Sequence, residues 1–377
     1  MRMKRIGFAC AWDKSPEVTW SGIPYNLREA LRRYTSVVDL GLERSEVPTL
    51  LRYMYARYRR GRLLSTYKWS TTYDRIVQKK LSASLRETSV DAVVEIGDLA
   101  QLDAPYYVYQ DLSFDVLERF YDPAVGVPGF EAIDLDTIKR RQDRQHKFYE
   151  SAAGVFAFSE WFANTLVEWS GVPRDKVAVT YAGLNSVETP AEDNTRLETR
   201  VTTNRPVRLL FVGREFFRKG GDIVLAALAQ LRREHWPHVQ LTVAGPKTWP
   251  LPGNIPDGVV YLGNLSTVEV AQLYRTHDLF VMPSRFEAFG IVFLEALASG
   301  IPVIGRSDFA MPEIIRPGEN GALVGSDDPS ELASAIISVL NNPAVREFTG
   351  QSAKDIRAQF SWDAVAERML TAISHPA

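Results

Sequence analysis

The chain has little of what marks a disulfide-stapled, metal-holding or nucleic-acid-binding protein. It holds one cysteine in 377 residues, so no internal disulfide can form, and Cys10 reads as a small core residue of the first apolar strand. Of its five histidines, His235 and His238 stand three apart but flank Trp236 and Pro237, a turn rather than a metal-ligand spacing. A formal net charge of −2 leaves no strongly basic domain of the kind nucleic acid requires. No apolar run reaches membrane-spanning length, and the one near the basic residues of the N-terminus is too short for a secretory signal. A cytoplasmic protein is the expectation. What is present, 45% hydrophobic and 24% charged residues, is a globular composition, and the length favours two domains, each with its own core.

Short apolar runs alternate with helical stretches in both halves. In the first half the strand candidates are 5–10, 37–40, 92–96, 106–109, 154–158 and 177–180. In the second they are 207–212, 240–244, 259–262, 279–282 and 301–304. This alternation predicts an α/β protein of doubly wound parallel sheets with helices on both faces. Residues 188–204 are polar and poor in apolar side chains, which is how a linker reads. The division is therefore 1–187, a linker 188–204, and 205–361.

The most informative segment runs from Pro283 to Pro302. Leu279–Met282 has the length of a buried parallel strand, and Pro283-Ser284 ends it. From Ile291 the apolar residues Ile291, Leu294 and Ala298 recur at helical spacing, with Gly300 placed as the left-handed residue past the last turn and Pro302 forbidding continuation. Glu287 then lies in the strand-to-helix loop and Glu295 on the helix. Amides at a helix start, here near Ala288, Phe289 and Gly290, favour negative charge, so a carboxylate there needs its own reason. One reason is hydroxyl recognition, because a carboxylate accepts from two adjacent sugar hydroxyls. The other is that Glu287 caps the helix and Glu295 is surface. Eight residues of helix advance roughly 12 Å, enough for the second carboxylate to meet another part of one extended ligand.

Upstream, the apolar run 207–212 ends at Gly213 and is followed by Arg214, Lys219, Gly220 and Gly221 before an Ala/Leu-rich helix. Cations thus stand at the carboxyl end of a strand, where open parallel sheets bind ligands. A guanidinium holds phosphate with two bonds and an ammonium adds a mobile point charge, against the alternative of solvated loop charges.

Together these segments resemble the retaining nucleotide-sugar glycosyltransferases of the family 4 type, also called glycosyl transferases group 1, which have the GT-B architecture. The resemblance rests on Glu287 and Glu295 with the Glu-Ala-Phe-Gly core, Phe211-Val-Gly-Arg214 with Lys219-Gly220, and Leu297-Ala-Ser-Gly-Ile-Pro-Val-Ile304. It rests also on Phe158-Ser-Glu-Trp161, Tyr181-Ala-Gly-Leu-Asn185 and Phe360-Ser-Trp-Asp363. It implies two Rossmann-like domains facing each other across a cleft, an acceptor-binding 1–187 and a donor-binding 205–361, with the last helix, 362–377, packing back on the N-terminal domain.

The resemblance also implies transfer of a sugar, with retention, from a nucleoside-diphosphate sugar to a glycan, lipid-linked or small-molecule acceptor, without cofactor or metal. Arg214 and Lys219 would stabilise the leaving diphosphate, Glu287 would hold sugar hydroxyls with backbone near Phe289 and Gly290, and Glu295 would hold the ribose. Gly213, Ala288, Ile291 and Leu262 complete the donor contacts, and base contacts near Gly245 and Tyr261–Gly263 would be largely backbone. The leaving phosphate could take the acceptor proton, with Asp13 and Asp111 as alternative bases. Two positions depart from the family. Where relatives commonly carry paired glycines after the first strand, this chain has Ser21-Gly22, which still lets backbone approach a diphosphate. Where they often carry a sugar-contacting histidine, it has Gln110, which hydrogen-bonds but carries no charge. A GT-B epimerase, a phosphorylase and a catalytically silent nucleotide-sugar-binding partner are the competing readings.

Asp134-Leu-Asp136 imitates a metal-binding Asp-x-Asp, but it opens a charged helix instead of ending a strand, where acids complement the dipole. Between Leu51 and Lys80, nine cations are interleaved with six Tyr and Trp against the single acid Asp74. That pattern suits peripheral contact with an anionic membrane or an anionic acceptor; the alternative is a solvated helix with its aromatics packed inward.

Overall fold

The computed structural model describes residues 5–59, 62–185 and 206–375. The chain divides into two compact units, Met1–Gly183 with Trp362–Ala377, and Leu184–Ser361. The expected linker, 188–204, lies outside the described residues.

In chain order the first unit contains β1 (Arg5–Ala9), β2 (Ala11–Trp12), β3 (Ser36–Asp39), β4 (Leu42–Glu43), β5 (Ala56–Arg59), β6 (Arg62–Ser65), β7 (Ala92–Ile96), β8 (Tyr106–Gln110), β9 (Gly154–Ala157) and β10 (Val177–Val179). Six of them form a sheet in the order β10-β9-β8-β7-β1-β3, with every pair parallel. β7 and β8 are buried at every position, as strands covered by helices on both faces must be.

The second unit contains β11 (Arg208–Val212), β12 (Gln240–Ala244), β13 (Val259–Gly263), β14 (Leu279–Val281), β15 (Val303–Arg306) and β16 (Gly321–Val324). They form one sheet, β13-β12-β11-β14-β15-β16, again parallel throughout.

Each predicted strand is present within one or two residues. The largest shift is β15, expected at 301–304. Pro302 cannot donate to a ladder, so its carbonyl accepts from Phe280 and the strand begins at Val303, which donates to Asn320. β16 was not predicted, being four residues with only its ends buried. Its Gly321 is sterically required, because a Cβ there would lie 1.9 Å from the Val303 carbonyl oxygen.

The segment 51–80 is not a single helix. A short helix, Thr49–Met54, leads into an antiparallel ribbon of β5 and β6, followed by the helix Thr71–Arg86, which Ser70 caps by accepting from the Tyr73 amide at 3.2 Å. The ribbon joins neither large sheet. Tyr67 and Tyr73 do pack inward, edge to face with centroids 5.4 Å apart. Leu50, Tyr53 and Met54 stay about 70% exposed.

The helix Trp362–Ser374 belongs to the first unit. Buried Trp362 lies where a Cβ on Gly183 would be 2.3 Å from the indole, and Arg33 pairs with Asp363 at 2.7 Å. Asp134 caps the helix Leu135–Ser151 by accepting from the Thr137 amide at 2.9 Å. Cys10 is buried and its thiol is pushed up, first by burial and then by the Asp39 charge. Among the described residues no helix is long and apolar enough to cross a membrane.

One charged residue interrupts the apolar interior of the first sheet. Glu95 on β7 is fully buried; one carboxyl oxygen accepts from the Ala100 amide at 2.7 Å, and the other has no hydrogen-bond partner among the described residues. Burial holds this carboxyl well above its ordinary value, with the Ala100 bond opposing. The folded chain therefore keeps a proton that the unfolded chain releases near 4.5, and stability falls as pH rises from there toward the raised folded value. Glu95→Gln retains an acceptor for Ala100 and removes the titration. We expect its melting temperature to exceed wild type by a margin that widens from pH 5 to pH 8, read by differential scanning calorimetry at both values.

Candidate active site

The chemistry-bearing residues of the second unit gather where its strand order reverses. From β11 the chain proceeds to β12 and β13 on one side, and then returns to place β14 beside β11, in register at Leu209↔Leu279 and Leu210↔Phe280. Ligand crevices in open parallel sheets form at such a switch point, outside the carboxyl ends of the strands. The loop after β11 carries Arg214 and Lys219, and the loop after β14 carries Glu287.

Lys219 and Glu287 meet there as an ion pair, each side chain 13% exposed. The pair explains why a carboxylate sits so near a helix start: Gly290, the N-cap of the helix Ile291–Ala298, has no side-chain cap, and Glu287 turns to the ammonium instead. Arg214 is exposed at the end of β11 and enters no ion pair among the described residues. Two glycines permit the geometry. Gly220 is left-handed at φ 76°, and a Cβ would be 2.4 Å from the Pro283 carbonyl oxygen; Gly290 is left-handed at φ 79°, and a Cβ would be 2.7 Å from the Phe293 ring. Ala288, Phe289 and Gly290 are buried and Ile291 is partly exposed.

Gly213, Gly245 and Gly263 sit together at the ends of β11, β12 and β13. The Gly213 amide donates to Ala244 at 2.9 Å and the Gly245 amide to Gly263 at 2.7 Å. A Cβ on Gly245 would lie 2.5 Å from the Gly213 carbonyl carbon. Beside them Leu262 is 40% exposed.

Glu295 stands on the helix Ile291–Ala298 and accepts from the Tyr274 hydroxyl at 3.3 Å. Its residue surface is only partly covered, but its carboxyl is enclosed: burial pushes it up to about 7, with the Tyr274 bond opposing. Tyr274 is itself buried, edge to face on Phe280. Apolar periodicity gave no sign of this partner, which comes from the separate helix Thr267–Thr276.

In the first unit the equivalent reversal lies between β1 and β7. The segment between β2 and the helix Ile23–Tyr34 contains three consecutive left-handed residues, Trp20, Ser21 and Gly22, at φ 43°, 58° and 84°. For Trp20 and Ser21 such a conformation costs about 1–3 kcal/mol each. The stacking of Trp20 on Phe158, centroids 5.4 Å apart, helps hold it. Ser21 is exposed and Gly22 N-caps the helix Ile23–Tyr34. Strain at Trp20 was not legible, since nothing in the sequence marks a tryptophan for positive φ. Gln110 is buried, and its amide donates to the Tyr149 hydroxyl in the interior of the unit. Among the described residues no group of three or more His, Cys, Asp or Glu is placed to hold a metal.

Two Rossmann-like parallel sheets, with cations and carboxylates gathered at the switch point of the second, define an α/β protein of the GT-B fold. Comparison with known proteins leads the same way. Residues 196–356 match the family model described as glycosyl transferases group 1. An uncharacterised glycosyltransferase of Methanocaldococcus jannaschii is 30% identical over 240 residues, covering 58% of this chain and 59% of that one. Glycogen synthase of Mycobacterium tuberculosis is 29% identical over 270 residues, covering 65% and 64%. The chain thus spans about three fifths of the length of these relatives. Sucrose-phosphate synthase of Thermosynechococcus elongatus superposes with a TM-score of 0.70 at 19% identity over 98% of both chains. The Anabaena HepE complex with UDP and glucose gives 0.63 at 16% identity, covering 98% and 99%; at these identities the likeness is one of fold.

The Tyr274–Glu295 bond favours the ionised carboxyl, so Tyr274→Phe should move the Glu295 midpoint upward from about 7. Carbon-detected NMR of a glutamate-labelled protein reads this directly; an unchanged midpoint would mean that the hydroxyl does not act on Glu295.

Proposed function

We propose that this chain is a retaining glycosyltransferase of the family 4 type, moving a sugar from a nucleoside-diphosphate sugar to a glycan, lipid-linked or small-molecule acceptor. The observation that carries the reading is the meeting of Lys219 with Glu287 at the β11/β14 crossover, beside an exposed Arg214. A lone surface cation or carboxylate would carry no such reading. An enclosed pair of opposite charge at a switch point offers a donor to a phosphate and an acceptor to sugar hydroxyls within one ligand's reach.

In this reading the bond from the anomeric carbon to the phosphate oxygen breaks as the acceptor oxygen bonds the same carbon from the same face, and the acceptor proton passes to the leaving phosphate. Asp13 and Asp111 are the alternative bases. Negative charge grows on the departing diphosphate, so Arg214 and Lys219 act more strongly in the transition state than in the ground state. They supply the positive charge that a metal would otherwise bring. Glu287 orients the donor sugar, with the backbone of 288–290 at the same ring, and Glu295 accepts from the ribose. Ionisation makes both Glu295 oxygens acceptors for the ribose hydroxyls, so donor affinity should rise with pH through about 7. In the first unit, Ser21 and Gly22 offer backbone of the kind that approaches a diphosphate, and Gln110 meets a ligand only by releasing Tyr149.

The peripheral-membrane reading is part of the proposal. Leu50, Tyr53 and Met54 are exposed on a short helix next to the arginine-rich β5–β6 ribbon, which suits apolar insertion with cations at the headgroups of an anionic bilayer. Sedimentation with phosphatidylserine vesicles should be strong for wild type and weak after Arg57, Arg59 and Arg60 are changed to Glu; equal sedimentation of both proteins sinks the idea.

Titrating UDP, GDP, ADP and TDP and their sugar conjugates calorimetrically into wild type and Glu287→Ala tests the donor site. We expect one nucleotide to bind both proteins and only its sugar conjugate to lose affinity in the mutant. Arg214→Ala and Lys219→Ala should each lower turnover by about 10²–10³; the melting temperature should change little for the exposed Arg214 and fall for Lys219, whose loss leaves Glu287 unpaired. Nucleotide-sugar binding with no turnover on any acceptor would favour the silent binding partner instead.

A further inference from the structure

Lys219 and Glu287 are 68 residues apart in sequence, and an ion pair between two mostly buried side chains loses much of its Coulombic gain to desolvation, so it does not by itself hold their loops together. The contacts that do so come from two arginines not used by the proposed chemistry. The Arg285 guanidinium takes both carboxylate oxygens of Asp222 at 2.8 and 2.9 Å and donates to the Phe217 carbonyl at 2.5 Å. All of these partners lie in or just after the β11 loop. In return, the Arg218 guanidinium crosses to the Phe286 carbonyl at 2.6 Å, while the Arg218 carbonyl accepts from the Arg285 amide at 2.8 Å and from the buried Ser284 hydroxyl at 3.2 Å. Each loop therefore donates to and accepts from the other, through residues on both sides of Lys219 in the first loop and just before Glu287 in the second.

We propose that Arg285 and Arg218 form a two-way clamp joining loop 214–222 to loop 283–290, and that Arg285 is through it a positioning residue for Lys219 and Glu287. The inference rests on the catalytic reading for its functional half and on geometry alone for its structural half. A planar fork fits both Asp222 oxygens while a third N–H reaches a backbone carbonyl; a lysine could not do this from one position. The further bond from Arg285 to Asp327, 2.6 Å, ends on a half-exposed carboxylate and adds less. Close backbone approach permits the clamp, since Gly220 lies where any Cβ would strike Pro283. The chemistry needs this rigidity, because a displacement of about 1 Å between reacting groups can cost about 10²-fold in rate.

Hydrogen exchange by mass spectrometry on wild type, Arg285→Ala, Arg285→Lys and the milder Asp222→Asn tests the structural half. Peptides covering 214–222 and 283–290 should exchange about tenfold faster together in all three variants. Faster exchange confined to 283–290, or in neither, overturns the clamp. Turnover in a double-mutant cycle tests the functional half. Arg285→Ala should cost about 10²-fold in wild type but no more than about 3-fold further in Lys219→Ala, as for residues acting as one unit. Equal losses in both backgrounds would mean that Arg285 acts independently of Lys219 and overturn the positioning role. If wild type binds no nucleotide and turns over no donor, the catalytic reading fails, and the exchange result still decides whether the clamp exists.

Discussion

The parallel pairing of β11 with β14 is the constraint on which the second unit's site depends. Only these neighbours bring the loop bearing Lys219 against the loop bearing Glu287. Leu209, Leu210, Leu279 and Phe280 are all fully buried, so the pairing is driven by removal of apolar surface from water. A polar substitution in either strand would therefore be felt at the charges above it. Reversal of strand order at this pair is the place where open parallel sheets form ligand crevices.

Above that apolar base, the site uses charge in two different ways. Arg218 and Arg285 are spent on carbonyls and carboxylates of the protein itself, while Arg214 stays at the surface. The distinction follows from donor geometry: a guanidinium already bonded to a backbone carbonyl and to carboxylates of the protein has few donors left, whereas an exposed one after a strand end keeps its fork for a ligand. Glu95 and Glu295 show the matching division among the acids. Both are pushed toward the neutral form by burial, but Glu95 lies in the middle of a covered strand, and Glu295 lies on the helix that Gly290 opens.

Much of this could be read in the chain beforehand. The strands were legible because parallel, doubly covered strands are near-continuous apolar runs, as 92–96 and 279–281 are. Glu287 and Lys219 were singled out by their place after such runs and by the glycines near them. The exceptions have local causes. No strand is expected at 56–59 or 62–65, where arginines interrupt any apolar run. β16 opens on a glycine and has only its ends buried, so it is not marked as a strand. Gln110 is a sugar contact only by the resemblance, where relatives often carry a histidine; in the fold its amide meets Tyr149, a residue 39 positions away. Tyr274 and Arg285 were passed over for the same reason, their partners being distant in sequence.

What the sequence alone determined is therefore what depends on neighbours along the chain: the α/β class, strand and helix positions, the caps, and the loops where charges stand at strand ends. Periodicity and backbone preference act over a few residues, and they suffice for this. The tertiary structure decided which of those charges meet, which arginines are consumed in holding loops, and which carboxyls lose their water. Those outcomes depend on strand order and on burial, and neither is encoded within any one segment.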